Sequence, residues 1–184
     1  WAGGAAIALA ALLLLDVTPA PAFRLLRVGG DPCGSAHNVF WPPAAAALSA
    51  GMLSSNDANL LFQGSDAWNG SVQRFRFRSG SGDHCNQDDG SVGIAFGNVD
   101  CNARSLGDLL AVTESRFFTD TGELVDANIT FNTTAPALDD DAIFRQAAMH
   151  ELGHVLGLDL HDHDALVQRL VVFQGMQQCD RDLG

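Results

Sequence analysis

Apolar and polar positions change period several times along this chain, and each change marks an element. Gln73 to Arg78 (QRFRFR) alternates, the period of a strand with one face buried. Short apolar stretches at Ser91–Phe96, Leu109–Glu114 and Ala127–Phe131 read as further strands, and His37–Trp41 (HNVFW), stopped by Pro42-Pro43, reads as the first. Between the last two of these five in chain order, FFTDTGELVD reads as a hairpin-like connection. Ala44 to Trp68, rich in Ala and Leu, reads as a helix with a break at Gly51. Ser79–Gly90 is Gly, Ser, Asp and Asn around Cys85, a loop composition.

Asp139-Asp140-Asp141 precedes a second helical pattern, where acidic side chains cap free N–H groups and complement the helix dipole. Calcium binding by these aspartates is the lesser option, solvated helix start the greater. Strand, helix, several strands, helix: the order predicts an α+β domain, a mixed twisted sheet packed with two main helices.

The first stretch stands apart. Ala5–Leu15 is an unbroken apolar run of 11 residues, too short for a bilayer, and Ala20-Pro21-Ala22 follows as an A-x-A type cleavage site. Residues 1–22 are therefore expected to be a signal peptide that lacks its own beginning. The mature domain, 23–184, would start at Phe23 and be secreted, with no membrane association once the leader is removed. Cys33, Cys85, Cys101 and Cys179 suit that route as two disulfides, with Cys85–Cys101 closing the short loop and Cys33–Cys179 the other pair. No CxxC pair is present to suggest a cysteine zinc knuckle. His84 reads as a surface residue beside Cys85. A net charge of −12 argues against nucleic acid or an anionic membrane as partner. A monomer is expected.

The chemistry concentrates in MHELGHVLGLDLHDHD, residues 149–164. Four residues of helix turn through about 400°, so His150 and His154 project from one face and can share one cation. Glu151, off that line, can reach a metal-bound water without ligating the metal. Zinc lowers the pKa of such water to about 7, and a carboxylate that accepts its proton completes metal-assisted amide hydrolysis. Gly157 sits where the helix can end with positive φ and the chain can turn back toward the metal.

HELGHVLGLD resembles the signature H-E-x-x-H-x-x-G-x-x-H/D of the metzincin zinc endopeptidases, in the form of their matrixin branch. DAWNGSVQRFRF, LAVTESRFFTDTGELVDANITFN and DAIFRQAAMHELGHVLG resemble the first helix and second strand, the strands flanking the cleft, and the active-site helix. The resemblance covers most of residues 37–161. It implies a secreted zinc endopeptidase with His150 and His154 as ligands, Glu151 as general base, and a protein or peptide substrate paired with the edge strand near Leu109–Glu114. It also implies a C-terminal helix that would follow Gly184.

The family's third ligand falls on Leu160, which has no donor atom. A bulge at Asp159-Leu160 would restore His161 to the metal, and His161 is the expected third ligand. His163 and the aspartates Asp159 and Asp162 are the other candidates. Ala165-Leu166-Val167 stands at the family's methionine turn, with Met176 further on, and Asn128 stands where a second, structural zinc would require histidine. The competing reading is a metzincin-shaped binding domain made inactive by the displaced third ligand. An aspartate-ligand zincin, through Asp162 or Asp164, is the third.

Overall fold

A computed structural model describes residues 24–25, 27–28, 37–38, 40–41, 45–72, 75–86, 89–118, 121–159 and 171–174. In chain order the elements are β1 (Arg24–Leu25), β2 (Arg27–Val28), β3 (His37–Asn38), β4 (Ala45–Ser49), α1 (Ser55–Ser71), β5 (Arg76–Ser79), β6 (Ser91–Gly97), β7 (Ala111–Phe117), β8 (Leu124–Asn132), a 3-10 turn at Pro136–Asp139, α2 (Asp141–Val155), β9 (Leu158–Asp159) and β10 (Val171–Gln174). The class is α+β. The main sheet runs β5-β4-β6-β8-β7, and β10 adds along the outer edge of β7. All its pairings are parallel except β7 with β8, the hairpin expected at FFTDTGELVD.

One expected element is corrected. Ala45–Ser49 is not the start of a helix but a strand, flanked by β5 and β6 in parallel. Alanine favours helix only weakly in isolation, and ladder bonds on both sides with Leu48 fully buried override that preference. The helix begins at Ser55, capped by Ser54, whose hydroxyl accepts from the Asp57 backbone N–H and donates to the Asp57 carboxylate at 2.6 Å. His37–Trp41 also differs: His37–Asn38 pairs with β2, and Phe40 makes a single bridge to Glu123. β7 extends to Phe117, three residues beyond its expected end.

β7, β8 and β6 are buried on both faces, which is why their sequences mix apolar and polar residues without an exposed side. Strand alternation sorts the two sets. Ile94, Ile129 and Thr113 are cross-strand neighbours, as are Phe96, Phe131 and Ala111, and these rows meet the helices. Phe131 and Phe144 of α2 sit with ring centroids 4.7 Å apart in the centre of this core. α1 crosses α2 at Gly64, where a Cβ would lie 3.0 Å from the Met149 side chain.

The opposite face carries Gly93, Asn128 and Glu114 in one row, and loops cover it. A Cβ at Gly93 would lie 2.8 Å from the His84 Cα and 2.5 Å from the Asn128 side chain, so glycine lets the 80–90 loop rest directly on β6. Asn128 and Asn132, which head N-x-T triplets, are buried and hydrogen-bonded inside this fold. Asp126 is also buried here and accepts from the Asn128 amide, while its other oxygen has no ordinary donor among the described residues. Burial, then the nearby charge of Asp89 and a carboxyl–carboxyl hydrogen bond to it, push the Asp126 pKa up to about 7.

Two outcomes follow from this layer. Gly93→Ala should destabilise by about 1–3 kcal/mol in urea titrations, because loop backbone at His84 and Asp83 meets the new methyl as well as the hydrogen-bonded Asn128 amide. The raised Asp126 pKa means that the native state keeps a proton the unfolded chain releases near pH 4, so stability should fall as pH rises from about 4 toward 7. Asp89 is its partner there, and Arg116 its cross-strand neighbour. Asp126→Asn, which keeps an acceptor for Asn128, should melt higher than wild type at pH 8, with a gap that narrows toward pH 5. A gap independent of pH would contradict the shared-proton description.

Candidate metal and catalytic site

α2 begins where the aspartate run predicts. Asp140 is its N-cap and accepts from the N–H groups of Ala142 and Ile143 at 2.8 and 3.2 Å, while Asp141 accepts from the Asn56 amide. The helix ends at Val155, and Gly157 follows with φ +80°, a left-handed turn that redirects the chain into β9. Two tryptophans pin its C-terminal half: the Trp41 indole donates to the Val155 carbonyl at 2.7 Å, and that of Trp68 to the Met149 carbonyl at 2.8 Å.

His150 and His154 converge. Their Nε2 atoms lie 3.1 Å apart, with the rings nearly perpendicular at 85°. Two imidazole nitrogens at about 2.0–2.1 Å from one tetrahedral cation would be separated by about 3.3 Å, so the pair fits a shared ion. The Leu158 carbonyl is 3.0 Å from His154 Nδ1, and a proton donated there leaves the lone pair on Nε2, facing His150. His154 is buried and His150 half-buried, and desolvation lowers the His150 pKa, favouring the neutral, ligating form.

Glu151 lies in the seam between α2 and β7. It is only 2% exposed, and the Thr113 hydroxyl donates to its Oε2 at 2.6 Å. Burial raises its pKa to about 7, against the lowering effect of the Thr113 bond. Thr113 is the site residue that sequence reasoning missed. Its signal was the alternation of β7, which puts a polar side chain in the row that faces α2.

The expected third ligand, His161, lies outside the described residues, as do Leu160, Asp162, His163, Ala165–Val167, Met176, Cys33 and Cys179. Leu158–Asp159 forms β9, antiparallel to β1. On the substrate side, β10 pairs with Glu114–Phe117, leaving the outer edge of Ala111–Thr113 without a strand partner among the described residues.

The Cys85–Cys101 disulfide is present. His84 is not simply at the surface: it is half-buried, Nε2 lies 3.0 Å from the Thr130 hydroxyl and Nδ1 3.2 Å from Cys85 Sγ, and burial lowers its pKa against a backbone hydrogen bond at Ile129. Glu114 lies beside this group and accepts from the Cys101 N–H, the Asn102 amide and Arg104, while desolvation raises its pKa.

No family model, no curated protein and no solved structure matches the chain.

Thr113→Val keeps the side-chain shape but removes the donor to a buried carboxyl. It should cost about 1–3 kcal/mol in chemical denaturation. The same substitution in a Glu151→Gln background should cost measurably less if the two groups act as a pair.

Proposed function

We propose that this chain is a secreted, matrixin-like zinc endopeptidase. The observation that supports it most strongly is the convergence of His150 and His154 Nε2, with the His154 tautomer set by the Leu158 carbonyl. The α+β architecture, with one helix supplying both imidazoles beside β7 of a mixed sheet, is compatible with a metzincin domain. His150 and His154 would hold Zn2+, with His161 as the third ligand. When bound, the ion supplies Lewis acidity toward the scissile carbonyl and lowers the pKa of water to about 7.

The chain's own residues do the rest. Glu151, held by Thr113 through one carboxylate oxygen, takes up a proton on the other and returns it to the leaving amine. The burial that raises its pKa also makes it a stronger base than an exposed glutamate. The outer edge of Ala111–Thr113, without a strand partner among the described residues, offers main-chain N–H and C=O groups to an extended peptide. The leader at 1–22 would direct secretion and leave a monomeric domain whose Cys85–Cys101 bridge suits an oxidising compartment.

One observation favours the second reading, an inactive binding domain. β10 occupies Glu114–Phe117 and shortens the stretch on which a substrate could pair.

Glu151→Gln should lower kcat for casein or a quenched peptide by about 10²–10⁴-fold while zinc stays bound. His150→Ala and His154→Ala should lose the metal, and His161→Ala beside His163→Ala should distinguish the third ligand. Undiminished cleavage by Glu151→Gln would remove the assigned base. Absence of chelator-sensitive cleavage in a zinc-loaded wild-type chain would leave the binding-domain reading in its place.

A further inference from the structure

The loop face of the sheet holds a second group of metal-ligating atoms, independent of the α2 site. One ligand atom from each of His84, Cys85 and Cys101 lies within 4.8 Å of the others. With the disulfide closed, neither sulfur is a thiolate, and the group cannot ligate through them.

Reduction would ordinarily release two cysteines from different loops to drift apart. Here each is anchored without the other. The Cys85 N–H donates to the buried Asn128 amide oxygen at 2.9 Å, and the Cys101 N–H to Glu114 at 2.7 Å. Asn128 and Glu114 are cross-strand neighbours on β8 and β7, so both anchors belong to the sheet. The two Cα atoms stand 5.1 Å apart, and Gly93 lets the His84 backbone lie on β6 beside them. His84 is placed independently, with Nε2 on the Thr130 hydroxyl and Nδ1 toward the Cys85 sulfur.

We propose that His84, Cys85 and Cys101 form a redox-gated site for Zn2+, closed as a disulfide and opened by reduction. A dithiol reductant passes two electrons and two protons to the S–S bond and becomes a disulfide itself. Two thiols result, and binding of one Zn2+ as a bis-thiolate releases two protons. Rotation of the side chains brings the sulfurs to the separation of about 3.8 Å that two Zn–S bonds of about 2.3 Å require. His84 Nδ1 gives the third bond while Nε2–H donates to Thr130, the usual outer-shell arrangement for a ligating imidazole. Three protein ligands leave the fourth position to water. The exposed side of Cys85 gives reductant and metal their access.

The test is cobalt and zinc titration of the full chain before and after treatment with dithiothreitol, with the reductant removed anaerobically. Reduced protein should take up about one more equivalent of metal than oxidised protein. Co2+ should then show a near-ultraviolet thiolate charge-transfer band, which histidine ligation at α2 does not produce. Cys85→Ser and Cys101→Ser should each abolish the band, and His84→Ala should weaken binding while keeping a thiolate signal. The proposal is overturned if reduction adds no thiolate-bound metal. It is also overturned if the band persists in either cysteine variant, or if reduction unfolds the chain by circular dichroism. Because His150→Ala removes only the α2 site, loss of that metal leaves this test unaffected.

Discussion

A buried helix that carries two imidazoles and a carboxyl has to find partners for all three, and this constraint organises the helix side of the domain. Desolvating such groups without hydrogen bonds costs several kcal/mol. Glu151 meets the Thr113 hydroxyl, His154 meets the Leu158 carbonyl, and the two Nε2 atoms meet each other. Each partner lies on a different element, so satisfying them sets the distance of α2 from β7 and the direction of the chain after Gly157. Trp41 and Trp68 fix the same helix from the other side through its own carbonyls.

The sheet therefore serves two unlike layers. Toward the helices its rows are mainly apolar, and the Thr113 hydroxyl among them is the one bonded to Glu151. Toward the loops its rows are Gly93, Asn128, Thr130 and Glu114, whose polar groups hold irregular backbone that has no ladder of its own. Asp100 and Arg104 extend that network, with Arg104 bonded to both Asp100 and Glu114. The disulfide joins loops that the sheet already holds separately.

Much of this was legible from the chain. The strands between Arg76 and Asn132, the hairpin, the aspartate cap and the helix end at Gly157 follow from period and local chemistry, which act over a few residues. Ala45–Ser49 was not legible, because its strand state comes from parallel neighbours about 30 and 45 residues away in sequence. The Ser54–Asp57 capping box was the local clue that the helix starts later. Thr113 was signalled by the alternation of its strand, but the Gly93–Asn128–Glu114 row depends on cross-strand register, which a single strand's pattern does not contain. His150, Glu151 and His154 were legible because one helical turn determines their relation. The third ligand depends on the path after Leu158–Asp159, beyond the reach of helical periodicity.

The carbonyl that orients His154 belongs to Leu158, and Leu158–Asp159 is paired in register with Arg24–Leu25. The segment immediately after the expected leader is thus laced to the peptide unit that selects an imidazole tautomer. A ladder of only two residues therefore carries any disturbance of Arg24–Leu25 to the carbonyl beside His154 Nδ1, and through that ring to the nitrogen that faces His150.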